Sequence, residues 1–102
     1  FASVLVVLMG LSLGISLQEW FTITILIGLV FAAEMMNTAV EELSNIVRDE
    51  LKLSYKATQR ARDVAAGAVF VIAIVSAIIG TAIFLPKVMQ LFTNLIFLQS
   101  QT

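Results

Sequence analysis

VAAGAVFVIAIVSAIIGTAIFLP, residues Val64–Pro86, runs for 23 positions without a charged side chain. An α-helix rises about 1.5 Å per residue, so about 20 apolar residues cross a hydrocarbon core about 30 Å thick. This stretch meets that length unaided. Further out, Phe1–Gln18 adds 18 uncharged residues and Trp20–Ala33 adds 14. Of the 102 residues, 60% are hydrophobic and 13% charged, and mean hydropathy is +1.02. A soluble domain carries about a quarter charged residues. At this length it buries only about two-thirds of its surface. A small soluble enzyme is therefore excluded. The absence of Cys and His removes disulfide scaffolds, thiolate catalysis, zinc fingers and histidine bases. A net charge of −1, from six basic and seven acidic residues, offers nucleic acid no basic field.

An all-α integral membrane protein with three transmembrane helices is expected, as a single unit over residues 1–102. The spans fall at about 1–17, 20–42 and 63–85, with a polar loop at 43–62 and an interfacial tail at 87–102. The chain opens on Phe1 without an initiator Met, so the first span is expected to begin upstream. Without a basic n-region or a cleavage signal it does not read as a signal peptide. The middle span reaches its length only by continuing through Glu34 and Asn37 to Val40; Phe31–Ser44 holds neither Gly nor Pro to stop it. Arg48, Lys52, Lys56, Arg60 and Arg62 all lie between the second and third spans, which makes that loop cytoplasmic by the positive-inside rule. Trp20 suits the opposite interface. In the tail, Leu91, Phe92, Leu95 and Ile96 recur at helical spacing and suit the membrane surface.

The anomaly is polar. Glu34, Asn37 and Glu41 project from one narrow helix face at about 0°, 300° and 340°, and Asn45 follows at about 20°. Measured from Trp20, Glu34 lies about 21 Å along the helix, inside the cytoplasmic half of the hydrocarbon, and Glu41 lies near its edge. An acid at the membrane centre costs about 2.5–3.5 kcal/mol on insertion scales, so it marks a site, a pathway or interhelical hydrogen bonding. Across the loop, Arg62 and Asp63 precede the third span. Asp63 reads as a helix cap and Arg62 as a snorkelling cation. Alternatively, the pair forms an anion site facing the carboxylates.

Carboxylates opposite a cationic anion site suit phosphoryl transfer, with oxygen ligands appropriate to Mg²⁺. No GxxxxGK[ST] or GxGxxG occurs, which excludes the P-loop and protein-kinase designs. The third span carries small residues at Ala65, Ala66, Gly67, Ala68, Ala73, Ser76, Ala77 and Gly80, which permit close helix packing in lipid. Three helices scarcely enclose a polar face, so self-association is expected.

Glu34-Met-Met-Asn37-Thr-Ala-Val-Glu41 resembles the E-x-x-N-[ST]-A-x-E motif of the small prokaryotic diacylglycerol kinase family, which includes undecaprenol kinases. Ala61-Arg62-Asp63-Val-Ala-Ala-Gly67-Ala-Val69 resembles its A-K-D-x-A-A-G-A-V segment, and Ile83-Phe-Leu-Pro86-Lys87 resembles the end of the third span in the Gram-positive, undecaprenol-type branch. The resemblance covers roughly residues 1–88. It implies a homotrimer in the bacterial plasma membrane, with sites between subunits at the cytoplasmic face. There, Mg-ATP would phosphorylate the primary hydroxyl of a lipid alcohol, undecaprenol first and diacylglycerol second. By the same resemblance, Glu34 takes the hydroxyl proton and Glu41 binds the metal and nucleotide. Asn37 supports the site, and Arg62 with Asp63 engages ATP. The family's cytoplasmic N-terminal helix, with a further metal-binding glutamate and nucleotide contacts, has no counterpart in these residues, so half of the metal site is expected to be missing from them. Two further features depart from the family: Arg62 stands where Lys is usual, and the loop from Glu41 to Arg62 is a few residues longer and lacks the Glu-Tyr-His stretch. Two rival readings are a non-enzymatic membrane protein (an ion pathway or assembly subunit) and a family member inert without that upstream helix.

Overall fold

The computed structural model describes residues 1–101 and is helical throughout. Its elements are α1 (Ala2–Leu13), α2 (Leu17–Asp49), a 3-10 turn (Tyr55–Thr58) and α3 (Gln59–Gln101). The chain divides into two compact units, one formed by Phe1–Thr24 with the stretch from Ala77 onward, the other by Ile25–Ser76.

In the first unit, α1 spans 12 residues and stops at Gly14, short of the uncharged stretch that ends at Gln18. The stop is conformational. Gly14 adopts φ 67°, ψ 57°, a left-handed geometry that glycine enters freely, and its N–H donates to the Gly10 carbonyl at 3.0 Å. Ser16 and Glu19 then start α2 three residues ahead of the expected Trp20. The Ser16 N–H donates to Glu19 Oε1 at 2.9 Å, and the Glu19 N–H donates to Ser16 Oγ at 3.2 Å. Lys87 Nζ lies 3.2 Å from the same Glu19 oxygen. Gly10 is buried because a Cβ there would come within 2.7 Å of Trp20 Cη2, so the indole rests directly on the α1 backbone.

Pro86 lies inside α3 rather than ending it. It removes the donor that the Ala82 carbonyl would otherwise receive. The helix resumes because Lys87–Gln101 contains no further Gly or Pro. The tail expected along the interface is thus a continuation of α3, whose 43 residues are about twice what one crossing requires.

In the second unit, α2 extends to Asp49 and α3 begins at Gln59, so the connection is shorter than the loop expected at 43–62. Glu42–Asp49 is charged yet free of helix breakers, and charge alone does not end a helix. The Glu50 and Leu51 N–H groups close the last turn on the Ile46 carbonyl, at 2.8 and 3.3 Å. Lys52 takes a positive φ of 57°, and Ser54 Oγ caps the 3-10 turn by accepting from the Lys56 N–H at 3.2 Å.

Among the described residues, the buried apolar side chains are Ile15, Ile23 and Phe84. Two stretches, Leu17–Asp49 and Tyr55–Gln101, are long and apolar enough to cross a membrane, whereas α1 falls short of that length.

Candidate functional site

The site residues lie in the second unit, Ile25–Ser76. Helix α2 runs unbroken through Glu34, Asn37 and Glu41, as the absence of Gly and Pro requires, and so preserves their shared face. The Asn37 side-chain amide donates to Glu41 Oε1 at 3.3 Å, which joins two members of the stripe. Glu34 and Glu41 are exposed on the single chain, while Asn37 is half-buried. The Glu34 carboxylate makes no hydrogen bond or ion pair among the described residues; its backbone carbonyl accepts from Thr38 Oγ1 at 3.0 Å.

Asn37 is half-buried because it borders a cleft of about 870 Å³ between α2 and the start of α3. Ala32, Ala33, Ala61, Ala65 and Ala68 line it; with side chains this short the walls leave room between the helices. The polar lining residues are Asn37 and Arg60. In the sequence Arg60 is one of five loop cations, with nothing to set it apart. It reaches the cleft because α3 begins at Gln59, four residues before the expected start, which gives Arg60 a place on a helix face.

Arg62 and Asp63 form no hydrogen bond or ion pair with Glu34 or Glu41 among the described residues. Arg62 is half-buried against Tyr55, its Cζ 3.7 Å from the ring centroid, and its Nη2 donates to the Tyr55 carbonyl at 2.9 Å. Its Nε donates to Thr58 Oγ1 at 3.4 Å. Asp63 is exposed and lies in the second turn of α3, so it does not cap that helix. Arg48 pairs with the adjacent Asp49 at 2.7 Å. The hydrogen bond between them holds the Asp49 carboxyl below its ordinary range and raises the Arg48 guanidinium above its own.

No group of three or more acidic, His or Cys side chains gathers among the described residues. A cation at Glu41, the expected metal ligand, would thus meet at most two carboxylates among the described residues. That fits a cation that keeps its waters and arrives on phosphate oxygens, since Mg²⁺ commonly takes one or two carboxylates plus substrate phosphates.

The family model for prokaryotic diacylglycerol kinase matches residues 1–84. The undecaprenol kinase of Bacillus subtilis (strain 168) is 41% identical over 86 residues, which cover 84% of this chain and 68% of that protein. No solved structure matches.

Proposed function

The chain belongs to the prokaryotic diacylglycerol kinase family and is a lipid kinase of the membrane, and from that premise we propose that it phosphorylates undecaprenol with Mg-ATP, diacylglycerol being the second candidate. The observation that carries this reading is the acidic face of α2, where the Asn37–Glu41 hydrogen bond borders an apolar cleft. Undecaprenol ranks first because the 41% identical relative is an undecaprenol kinase.

In this reading the lipid hydroxyl oxygen attacks the γ-phosphorus of ATP and the bond to the ADP oxygen breaks. The hydroxyl proton passes to the Glu34 carboxylate, which has no hydrogen-bond or ion-pair partner among the described residues and is open to the lipid hydroxyl. Glu41, held by Asn37, meets the nucleotide's cation; Mg²⁺, when bound, neutralises charge on the phosphate oxygens. Arg62 and Asp63 engage the nucleotide. The apolar cleft takes part of the lipid chain, with Arg60 at the end where a headgroup would lie. Keeping water from the phosphoryl group favours transfer to lipid over hydrolysis.

Three spans, a cytoplasmic site and a homotrimer complete the proposal. The chain leaves Glu34 and most of its large apolar side chains uncovered, which supports further copies and lipid as the cover. The test incubates membranes carrying the protein with γ-labelled ATP, Mg²⁺ and either undecaprenol or diacylglycerol. Label in undecaprenyl phosphate above diacylglycerol-derived phosphate supports the reading; the opposite order corrects the substrate, and no labelled lipid removes the proposal.

A further inference from the structure

Tyr55 gathers two guanidiniums. Arg62 Cζ lies 3.7 Å from its ring centroid and Arg48 Cζ lies 5.2 Å from it. The two cations differ in how their charge is balanced. Arg48 sends Nε and Nη2 to the two Asp49 carboxylate oxygens, at 2.7 and 3.2 Å, and is neutralised there. Arg62 has no carboxylate partner among the described residues; its acceptors are the neutral Tyr55 carbonyl and the neutral Thr58 hydroxyl. A half-buried positive charge is thus held in one orientation and left uncompensated.

The ring, the carbonyl and the adjacent hydroxyl belong to one 3-10 turn, so a single local element fixes the guanidinium plane. Two of its nitrogens are engaged, while Nη1 makes no hydrogen bond among the described residues and remains for an anion. A planar guanidinium can stack by its face and still bind phosphate by its edge, whereas an ammonium cannot do both in that geometry. Arginine at position 62 and a ring at position 55 therefore make sense as a pair.

We propose that Tyr55 is a positioning residue for the nucleotide's polyphosphate: its ring and carbonyl present Arg62 to the phosphate oxygens. The inference rests on Arg62 as a nucleotide ligand, as argued under Proposed function. It also assigns the ring a different task from base stacking, since the guanidinium already lies against it at 3.7 Å.

The test uses the full chain in lipid nanodiscs, with inorganic tripolyphosphate as a base-free probe. Binding of the probe is measured by calorimetry and KM for ATP by lipid phosphorylation, in wild type, Tyr55→Leu, Tyr55→Phe, Arg62→Lys and the Tyr55→Leu/Arg62→Lys pair. Tyr55→Leu keeps apolar bulk but loses the ring, and should weaken tripolyphosphate and raise KM for ATP by about five- to tenfold with kcat little changed. Tyr55→Phe should recover most of that loss. In the Arg62→Lys background Tyr55→Leu should add almost nothing, because the ring then faces only the Arg48 guanidinium, whose charge Asp49 already balances. An equal loss in both backgrounds would overturn the proposal. So would weaker ATP with unchanged tripolyphosphate, which indicates base stacking, or no loss at all. Absent lipid phosphorylation by wild type would fault the kinase reading, and tripolyphosphate binding would still judge Tyr55.

Discussion

Replacing Asn37 with Ala removes the one side-chain hydrogen bond to Glu41 among the described residues, without penalising the helix, because Ala is the best helix former. The bond is 3.3 Å long, beyond the usual range for an N–H donor to a carboxylate, and it lies at an exposed position. It is worth about 1 kcal/mol, below the span for well-formed charged hydrogen bonds. That corresponds to about a fivefold effect on whatever depends on the orientation of Glu41. Initial rates measured against MgATP at saturating lipid alcohol, and then with the roles reversed, separate the two substrates. KM for MgATP should rise about fivefold, while KM for the lipid moves by less than about twofold. Asn37→Asp should be worse, since it puts a second negative charge where Glu41 now accepts a hydrogen bond from the Asn37 amide. If Asn37→Ala instead raised KM for the lipid and left KM for MgATP unchanged, Asn37 would serve the cleft it borders and its support of Glu41 would be refuted.

Gly10→Ala forces a methyl to within 2.7 Å of Trp20 Cη2 and should cost about 1–3 kcal/mol through overpacking. It should lower the thermal midpoint in detergent and shift the emission of the single Trp; unchanged melting and emission would contradict the contact. The Ser16 N–H, and then Lys87, hold the Glu19 carboxyl below its ordinary value of 4.5. A lowered carboxyl stabilises the fold when ionised, so its contribution is complete above that value and is lost as pH falls through the depressed one. Trp20 emission should accordingly change on acidification below about pH 4.5, and Glu19→Gln should flatten that change; an identical acid transition in the variant would refute the assignment.

The legible parts of the molecule were those set by long, uninterrupted patterns. The 23 uncharged residues from Val64 could only be an apolar helix, and the Glu34–Asn37–Glu41 spacing becomes one face in any helix that continues past Ala33. Helix ends were less legible, because a single residue is ambiguous. Gly14 terminates α1 through its left-handed backbone, while Gly10 stays helical beneath Trp20, and nothing in the local composition separates the two. Pro86 resembled a terminator yet lies inside α3. The start of α3 at Gln59 was hidden by the charges around it, and with it the place of Arg60 on the cleft. The Arg62–Tyr55 stack joins residues seven apart across the 3-10 turn and the start of α3, and a reading of 43–62 as loop gives them no shared face. The non-enzymatic reading, in which Glu34 lines a pore or binds helices, ends with the chain's membership of a kinase family.

The role of Glu34 is the claim on which the mechanism turns. Glu34→Gln keeps the size and polarity of the side chain but cannot take the hydroxyl proton. The decisive measurement is transfer of γ-labelled phosphate from ATP to undecaprenol by that variant in the same membranes as wild type, alongside its level of insertion and assembly. Loss of about 10²-fold or more in turnover with insertion and assembly unchanged is the result expected for a general base. Turnover within a few-fold of wild type would contradict it.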